Sequence, residues 1–386
     1  MNTYRIAVLP GDGIGPEVTD ATMCVLNAVG LRAEYIYGDI GWAYWQQEGN
    51  ALPERTIELL KTCDAALLGA ITSKPASDAE NELSAELRGQ GLIYRSPVVQ
   101  LRQVLELDTA VRPCRSYPGL RDAAGGQADI VVFRENTEGL YGGIEWRGIP
   151  EQLAGELAHP DRGHPGAMQR FRDIGLDQVA LSTRFVSEPG CERVCRRAFA
   201  YAAEHGRKRV SLLDKPNVLR ETGVVMAEAF SRVADEYPWI EAEQLNIDAA
   251  CMNLVLHPQH FDVIVAENMF GDIVSDLVAG LTGGIGFAPS ANIGEHFAVF
   301  EPTHGSAPDI AGRGVANPVA AIRSAAMLAA WLGEAEIAGH IDSAVLAAVT
   351  DGVVNTPDVV GAGVSGTTES VTTEIMNYII ASRSTQ

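Results

Sequence analysis

Two aspartates spaced one helical turn apart carry the strongest chemical signal in this sequence of 386 residues. Asp272 and Asp276 lie in the segment NMFGDIVSD, and residues four apart project from one face of a helix. Neighbouring like charges destabilise a helix unless a cation lies between them. Oxygen ligands without a nearby histidine suit Mg²⁺ or Mn²⁺, so the pair indicates a divalent metal site. The alternative is a solvated acidic helix face.

Three arginines lie where α/β proteins bind ligands. Arg102 and Arg112 flank a predicted passage from helix to strand, and Arg134 ends the apolar segment DIVVFREN. Ligands gather at strand ends in such sheets, and guanidinium groups bind carboxylates bidentately while keeping their charge. Taken singly, each arginine is typical of a surface ion pair. A convergent set would instead select a di- or tricarboxylic acid.

Two further side chains could move protons. Lys215 follows the predicted strand VSLLD, so its ammonium group lies at another strand end and is a candidate base. Tyr141 follows Arg134 by seven residues and is a candidate proton donor. A tyrosine that only satisfies its hydroxyl group in the core is the alternative.

Two glycine-containing loops could bind a cofactor. The segment LPGDGIGPE places three glycines on a strand-to-helix turn, but it is not the GxGxxG fingerprint, and a purely structural turn would need the same glycines. The segment EPTHGSAPDI follows a predicted strand and is too long for a simple turn, which indicates a ligand loop. Asp309 in that loop could accept hydrogen bonds from ribose hydroxyls and would repel a 2′-phosphate, which favours NAD over NADP.

Short apolar segments alternate with helical patterns, which predicts an α/β fold. Helices are predicted over residues 16–29 and 318–332, the second with Asn317 as N-cap. The irregular stretch 146–175 is interpreted as an insertion or arm, and the chain is long enough for two domains. Buried strands are predicted over residues 4–9, 65–70, 130–133, 179–182, 210–213, 263–266 and 297–300.

The composition excludes several classes of partner. A net charge of −21 disfavours nucleic-acid binding, which needs clustered cations. The six cysteines form no CxxC pair, which favours a reducing compartment. The first residues do not resemble a signal peptide, and no apolar run is long enough for a membrane span, so we expect a cytoplasmic protein without a membrane partner.

The motifs together resemble those of the β-decarboxylating dehydrogenases, the family of isocitrate, 3-isopropylmalate, homoisocitrate and D-malate/tartrate dehydrogenases. The resemblance spans nearly the whole chain and rests on GDGIGPEV, LRQVLELDTAVRP, RENTEGLYGG, DKPNVL, NIDAACMNLV, NMFGDIVSDLVAGLTGG and EPTHGSAPDIAGRGVANP. It implies a two-domain fold with a mixed, twisted sheet flanked by helices. The larger, cofactor-binding domain would comprise 1–108 plus 283–386. The smaller domain, 109–282, would bind substrate and metal and dimerise, with 146–175 as a clasp.

The same resemblance implies a role for each matching residue. Arg102, Arg112 and Arg134 would hold the malate carboxylates, and Asp248, Asp272 and Asp276 would hold Mg²⁺ or Mn²⁺. Lys215 would act as the base and Tyr141 as the proton donor, with Asn217 in the substrate site. A homodimer is implied in which Lys215 and Asp248 complete the partner's active site. The NAD-binding residues would be Ile14, Thr72, Glu301, His304, Gly305, Ser306, Ala307, Asp309 and Asn317.

The substrate's variable arm should meet the segment before Arg102. Ser96 matches the serine of isocitrate enzymes and Arg95 adds a cation, whereas Val98 replaces an expected asparagine. Asn136 also favours the isocitrate or tartrate branch. We therefore expect an anionic arm, with isocitrate first and homoisocitrate, 3-isopropylmalate, D-malate/tartrate or a phosphonate-bearing malate analogue as alternatives. A non-catalytic regulatory subunit and a metal-dependent phosphohydrolase are the alternatives of a different class.

Overall fold

A computed structural model describes residues 3–159, 165–361 and 366–383. Twelve strands are present in these ranges. They are β1 (Tyr4–Gly11), β2 (Ala33–Tyr37), β3 (Ala65–Ala70), β4 (Thr109–Arg115), β5 (Asp129–Glu135), β6 (Glu145–Arg147), β7 (Ala180–Ser182), β8 (Arg209–Asp214), β9 (Glu241–Asn246), β10 (Val263–Ala266), β11 (Pro289–Ile293) and β12 (Ala298–Pro302).

Fifteen α-helices separate or flank these strands in the described ranges. They are α1 (Gly15–Val29), α2 (Trp42–Glu48), α3 (Glu54–Leu60), α4 (Ala76–Asn81), α5 (Pro97–Val104), α6 (Glu151–Leu157), α7 (Pro165–Ile174), α8 (Glu188–Glu204), α9 (Arg220–Asp235), α10 (Ile247–Leu256), α11 (Asn268–Leu281), α12 (Val319–Trp331), α13 (Ala335–Thr350), α14 (Pro357–Val360) and α15 (Thr368–Arg383). Short 3₁₀ helices span Leu176–Gln178, Pro258–His260 and Ile285–Phe287.

Ten strands form one mixed sheet in the order β2-β1-β3-β12-β11-β4-β5-β10-β8-β9. At one end of the sheet β2, β1, β3 and β12 pair in parallel, and at the other end β5, β10, β8 and β9 do so. In between, β11 pairs antiparallel with both β12 and β4, and β4 pairs antiparallel with β5. All residues of β3 and β10 are buried, as expected for parallel strands covered on both faces. The strands β6 and β7 form a separate two-stranded sheet.

The three central strands β11, β4 and β5 separate two chemically different faces. Successive side chains of a strand point to opposite sides, so each strand contributes to both. The front face, which packs against α11, receives Arg112 and Arg134. The back face, which packs against α8 and α12, receives Val111, Phe133 and Ala291.

Helix ends follow recognisable local signals. In α1, Pro16 lies in the first turn and Gly30 ends the helix in the left-handed conformation. Glu267 caps α11 by accepting a hydrogen bond from the backbone N–H of Phe270 at 3.0 Å. The predicted cap Asn317 lies one residue before the observed N-cap, Pro318, but its Oδ1 still accepts the N–H of Val319 at 3.1 Å.

The expected α/β class with a mixed sheet is confirmed, and each predicted strand overlaps an observed one. The prediction that residues 179–182 form a buried strand was wrong, because β7 is exposed or half-buried in its two-stranded sheet. The region 146–175 contains α6 and α7, which pack on a small apolar cluster of their own. Residues 160–164 of that region lie outside the described residues. No helix among those described is long and apolar enough to cross a membrane.

Candidate active site

Three buried guanidinium groups from three different elements converge on the front face. Arg102 of α5, Arg112 of β4 and Arg134 of β5 have exposed fractions of 7%, 6% and 1%. Burial lowers the pKa of both Arg102 and Arg134, and the neighbouring arginines add to the effect. So much buried positive charge in one place would stabilise a bound anion.

The amino-terminal half of α11 positions two of these arginines. Arg134 donates from Nε and Nη2 to the side-chain oxygen of Asn268 at 3.0 and 2.7 Å, and from Nη1 to Asp272. Arg112 donates from Nη1 to the hydroxyl of Ser275 at 2.7 Å. Its Nε is buried and has no hydrogen-bond partner in the described part of the chain. This unsatisfied donor is a place where a ligand oxygen could bind.

Arg102 is held from the other side of the cluster. Its Nε donates to Oδ1 of Asn292 at 3.1 Å, and its Nη2 lies 3.7 Å from the carboxylate of Glu301. Asn136 donates to the same Asn292 oxygen at 2.9 Å. These contacts fix the Arg102 guanidinium group, and within the described part of the chain its ion pair with Glu301 is a long one.

The two aspartates of the NMFGDIVSD segment lie on one face of α11, as their helical spacing predicts, and both approach Arg112. Arg112 Nη1 lies 3.3 Å from Asp272 Oδ1 and 3.4 Å from Asp276 Oδ1. Burial opposes ionisation of Asp272, but Arg134 and Arg112 outweigh it and hold the pKa below its usual value. For Asp276 burial is the larger effect and raises the pKa, although the positive charge of Arg112 opposes this rise in part.

Tyr141 joins this cluster. Its hydroxyl donates to Asp272 Oδ2 at 2.6 Å, and its ring lies 5.1 Å from the guanidinium carbon of Arg134. Burial and the bond to Asp272 raise the pKa of Tyr141, against the opposing effect of Arg134. The phenol therefore carries its proton at neutral pH, as a proton donor must.

Lys215 and Asp248 form a separate pair. Lys215 Nζ donates to Asp248 Oδ1 at 2.5 Å, and this bond lowers the pKa of Asp248. Among the described residues, no three Asp, Glu, His or Cys side chains are placed to hold a metal. A single chain therefore brings Asp272 and Asp276 together but leaves Asp248 with Lys215. The donors are all carboxylate oxygens, a set that fits Mg²⁺ or Mn²⁺ if a further carboxylate approaches from outside the chain.

The two glycine-containing loops meet. Ser306 accepts a hydrogen bond at its carbonyl from the N–H of Ile14 at 2.8 Å, and its hydroxyl lies 2.6 Å from that of Thr72. Gly13 has a φ of +57°, and a Cβ there would lie 2.0 Å from the Ser306 carbonyl oxygen. Glycine is required here because two backbones touch. Three of the predicted cofactor residues, Ile14, Thr72 and Ser306, are thus in direct contact.

The other predicted cofactor residues are less closely grouped. Asp309 is exposed on the loop, and Ala307 adopts a positive φ of 37°. The His304 Nε2 is buried without a partner among the described residues. Asn317 donates to Asp358 at 3.0 Å, and Gly305 has open space around it.

Asp12 was not singled out from the sequence, yet it joins three segments. Its two carboxylate oxygens accept the N–H groups of Trp42 at 2.7 Å and Thr72 at 2.9 Å. Asn268, which orients Arg134, was also missed. Its position four residues before Asp272 placed it on the same helix face and could have indicated a role.

The segment expected to meet the substrate's variable arm leads into α5. Ser96 is the N-cap residue, and Arg95 is exposed immediately before it. Arg102 lies in the last turn of α5, so one short helix connects this segment to the buried arginine. Tyr94 anchors the segment by packing edge-on against Trp42 at 5.0 Å between ring centroids.

The sheet, its flanking helices and the buried arginine–aspartate cluster define an α/β enzyme of the isocitrate dehydrogenase-like fold. A solved isocitrate dehydrogenase from Methylococcus capsulatus superimposes with a TM-score of 0.83 at 37% identity, covering 98% of this chain and all of that one. The family model for isocitrate/isopropylmalate dehydrogenases matches residues 5–379. The chain belongs to this family, whose members are dehydrogenases that oxidatively decarboxylate a hydroxy acid.

Curated relatives differ in their printed substrates. The chain is 42% identical to the protein DlpA of Legionella pneumophila over 97% of its own length but spans only 58% of DlpA. It is 40% identical to a homoisocitrate dehydrogenase of Methanocaldococcus jannaschii, covering 97% of each chain. It is also 40% identical to a 3-isopropylmalate/3-methylmalate dehydrogenase of the same organism, covering 93% of this chain and 94% of that one. Similarity alone therefore does not select the substrate.

Proposed function

We propose that this protein catalyses the NAD-dependent, metal-requiring oxidative decarboxylation of a malate derivative that carries an anionic arm, with isocitrate favoured. The observation that carries the proposal is the convergence of Arg102, Arg112 and Arg134 beside Asp272 and Asp276 on the front face. The arginines support binding of a polycarboxylate, and the aspartates support binding of a hard cation.

The charge balance of the cluster supports a dicarboxylate core. Three guanidinium groups face three carboxylates, those of Asp272, Asp276 and Glu301, so the site is neutral by itself. A divalent cation would add two positive charges, which the two carboxylates of a malate core would neutralise. A third acidic group on the substrate would need one more cation, and the exposed Arg95 before α5 supplies it.

The side chains have complementary roles in the reaction. When bound, NAD accepts the hydride and the divalent ion acts as a Lewis acid toward the ketone. Lys215, as the neutral amine, takes the proton of the 2-hydroxyl group as the alcohol is oxidised, and Asn217 follows it by two residues in the chain. The arginines hold the carboxylates, so that CO₂ leaves from the carbon next to the ketone. Tyr141 then donates its proton to the carbon left behind.

Asp309 supports NAD as the cofactor. It is exposed on the loop that carries Ser306, where a carboxylate can accept hydrogen bonds from ribose hydroxyls. The same negative charge would repel the 2′-phosphate of NADP. Ile14 and Thr72, both in contact with Ser306, would form the adjoining wall of the cofactor site.

A homodimer with shared active sites accounts for the separation of Asp248 from the other two aspartates. Apolar side chains on α10 and α11 are exposed, which is unusual for a monomer surface. Met252, Val255, Leu256 and Ile273 have exposed fractions of 56%, 54%, 59% and 56%. We propose that a partner chain covers these side chains and that each Lys215–Asp248 pair enters the partner's site. We further propose that residues 146–175 form a clasp between the two chains. Residues 109–282 would form the smaller, dimerising domain, and residues 1–108 plus 283–386 the larger, cofactor-binding domain.

The substrate is tested by measuring kcat/KM for isocitrate, homoisocitrate, 3-isopropylmalate, D-malate, tartrate and a phosphonomethyl malate, with NAD and Mn²⁺. Arg95→Ala should lower kcat/KM for the substrates with an anionic arm by about tenfold and leave D-malate unchanged, since one charge-assisted contact is lost. The control is Arg121→Ala, which removes an exposed arginine elsewhere. An equal loss on D-malate would refute the assignment of Arg95.

The same assay addresses the other class of function. A regulatory subunit would bind these ligands without forming NADH from any of them. A metal-dependent phosphohydrolase would not form NADH either. NADH formation that stops on chelation with EDTA and returns with Mn²⁺ supports the proposal, whereas no turnover of any malate derivative contradicts it.

A further inference from the structure

A second cleft lies on the back face of the sheet, opposite the arginine–aspartate cluster. It has a volume of about 600 Å³ and runs between α8 and α12 over the central strands. Its floor is formed by Val111, Phe133 and Ala291, which alternate along the strands with the front-face residues. Cavities of this size accept small organic ligands. No residue assigned above to substrate, metal or cofactor lines it.

Four arginines line this cleft in a strongly acidic protein, and three of them are already paired. Arg197 lies 3.3 Å from Asp108, Arg207 lies 2.9 Å from Asp129, and Arg323 lies 3.3 Å from Asp342. Asp129 and Asp342, which also line the cleft, are therefore neutralised. The third acidic lining residue, Glu204, is exposed.

Arg115 is the exception. Its Nε and Nη2 atoms are buried, yet they have no hydrogen-bond partner and the side chain forms no ion pair within the described ranges. Its guanidinium carbon lies 5.1 Å from the centre of the Tyr117 ring, a contact that leaves the N–H groups unsatisfied. Buried N–H donors on a charged group are costly unless they are bonded. An anion at this point of the cleft would satisfy them.

The walls favour a flat ring. On the α8 side, the rings of Tyr201 and His205 are stacked, with 3.9 Å between their centroids and 17° between their planes. On the α12 side, Trp331 is partly exposed, and the small side chains of Ala326 and Ala330 leave room between the walls. Aromatic faces of this kind stack with planar ligands.

We propose that the back-face cleft is a binding site for a small organic anion that carries a flat ring, with the anionic group at Arg115 and the ring between Tyr201 and Trp331. The site is distinct from the proposed cofactor site. The cleft is tested by a binding measurement that needs no turnover. Absence of binding would therefore contradict the cleft proposal alone, and absence of NADH formation would contradict the proposed reaction alone.

The probe is 1-anilinonaphthalene-8-sulfonate, an anion with flat rings whose fluorescence rises when it leaves water. Titrated into the full-length protein, it should show saturable binding that persists in saturating NAD. Arg115→Gln should weaken binding by about tenfold or more, because a charge-assisted contact is lost. Ala330→Trp, which fills the cleft from its exposed side, should abolish binding, whereas Arg121→Gln should leave the dissociation constant unchanged.

Thermal unfolding of each variant separates loss of binding from loss of structure. If Arg115→Gln does not fold, Ala330→Trp carries the test alone, since its side chain adds to an exposed helix position. Fluorescence that both cleft variants retain, or that saturating NAD displaces, would overturn the proposal.

Discussion

Replacing Gly13 with alanine tests how the two glycine-containing loops are held together. Gly13 has a φ of +57°, and an added Cβ would lie 2.0 Å from the carbonyl oxygen of Ser306. Gly125 is a matched control, because its φ is +63° but no atom lies within 4 Å of an added Cβ. Both substitutions introduce the same backbone strain, and only one of them forces two segments apart.

The expected loss of stability differs between the two variants. An alanine in the left-handed region costs about 1–2 kcal/mol, which is the whole expected effect of Gly125→Ala. In Gly13→Ala the Ser306 carbonyl must also move, which breaks its 2.8 Å hydrogen bond from Ile14 and costs about 1 kcal/mol more. The displaced loop should also weaken NAD binding by about tenfold, corresponding to roughly 1.4 kcal/mol.

Two measurements check this reasoning. Urea denaturation should show Gly13→Ala to be less stable than Gly125→Ala, and calorimetric titration should show weaker NAD binding for Gly13→Ala alone. Equal stability of the two variants would refute the close approach of Gly13 to Ser306. A larger stability loss in Gly13→Ala with unchanged NAD affinity would retain that contact but remove the loop from the cofactor site.

Three further predictions address the shared site, the cofactor and the thiols. Dimers assembled at random from inactive Lys215→Met and Asp272→Asn chains should recover about a quarter of wild-type activity, because half of the dimers carry one intact site. No recovery would place both residues in one chain's site. Asp309→Lys should shift the ratio of kcat/KM for NAD over NADP toward NADP by about tenfold or more, and an unchanged ratio would exclude Asp309 from the ribose site. Burial raises the pKa of Cys114 to about 12, so at pH 8 only about one such thiol in ten thousand is ionised. Mass spectrometry should find exposed Cys24 alkylated by iodoacetamide well before Cys114, and equal rates would contradict the burial.

Local patterns predicted much of the fold and part of the candidate site. The four-residue spacing of Asp272 and Asp276 correctly placed both on one helix face. The apolar segments correctly marked the parallel strands β1, β3, β8 and β10, but they missed β2 and β9 at the two edges of the sheet. The strand β4, whose sequence TAVRPCR contains a proline and two arginines, has no apolar run and is not among the predicted strands. Its burial comes from its neighbours β11 and β5.

Contacts that depend on the order of strands could not be read from spacing. Asn292 meets Arg102 only because β11 lies beside β4 in the middle of the sheet, although 190 residues separate the two side chains. Asp12 bonds to Thr72 for a similar reason, since β1 and β3 are neighbours. Long-range hydrogen bonds of this kind follow from the tertiary arrangement and leave no periodic trace in the sequence.

The alternation of side chains along β4 and β5 restricts how this protein can change over evolutionary time. Inserting or deleting one residue in either strand would exchange the positions of the arginines and the apolar residues, and both sides of the layer would fail together. A point substitution changes one face of the sheet only, because Val111 and Arg112 are adjacent in the chain yet point to opposite faces. Homologues should therefore keep the lengths of these strands constant while the chemistry on either side diverges independently.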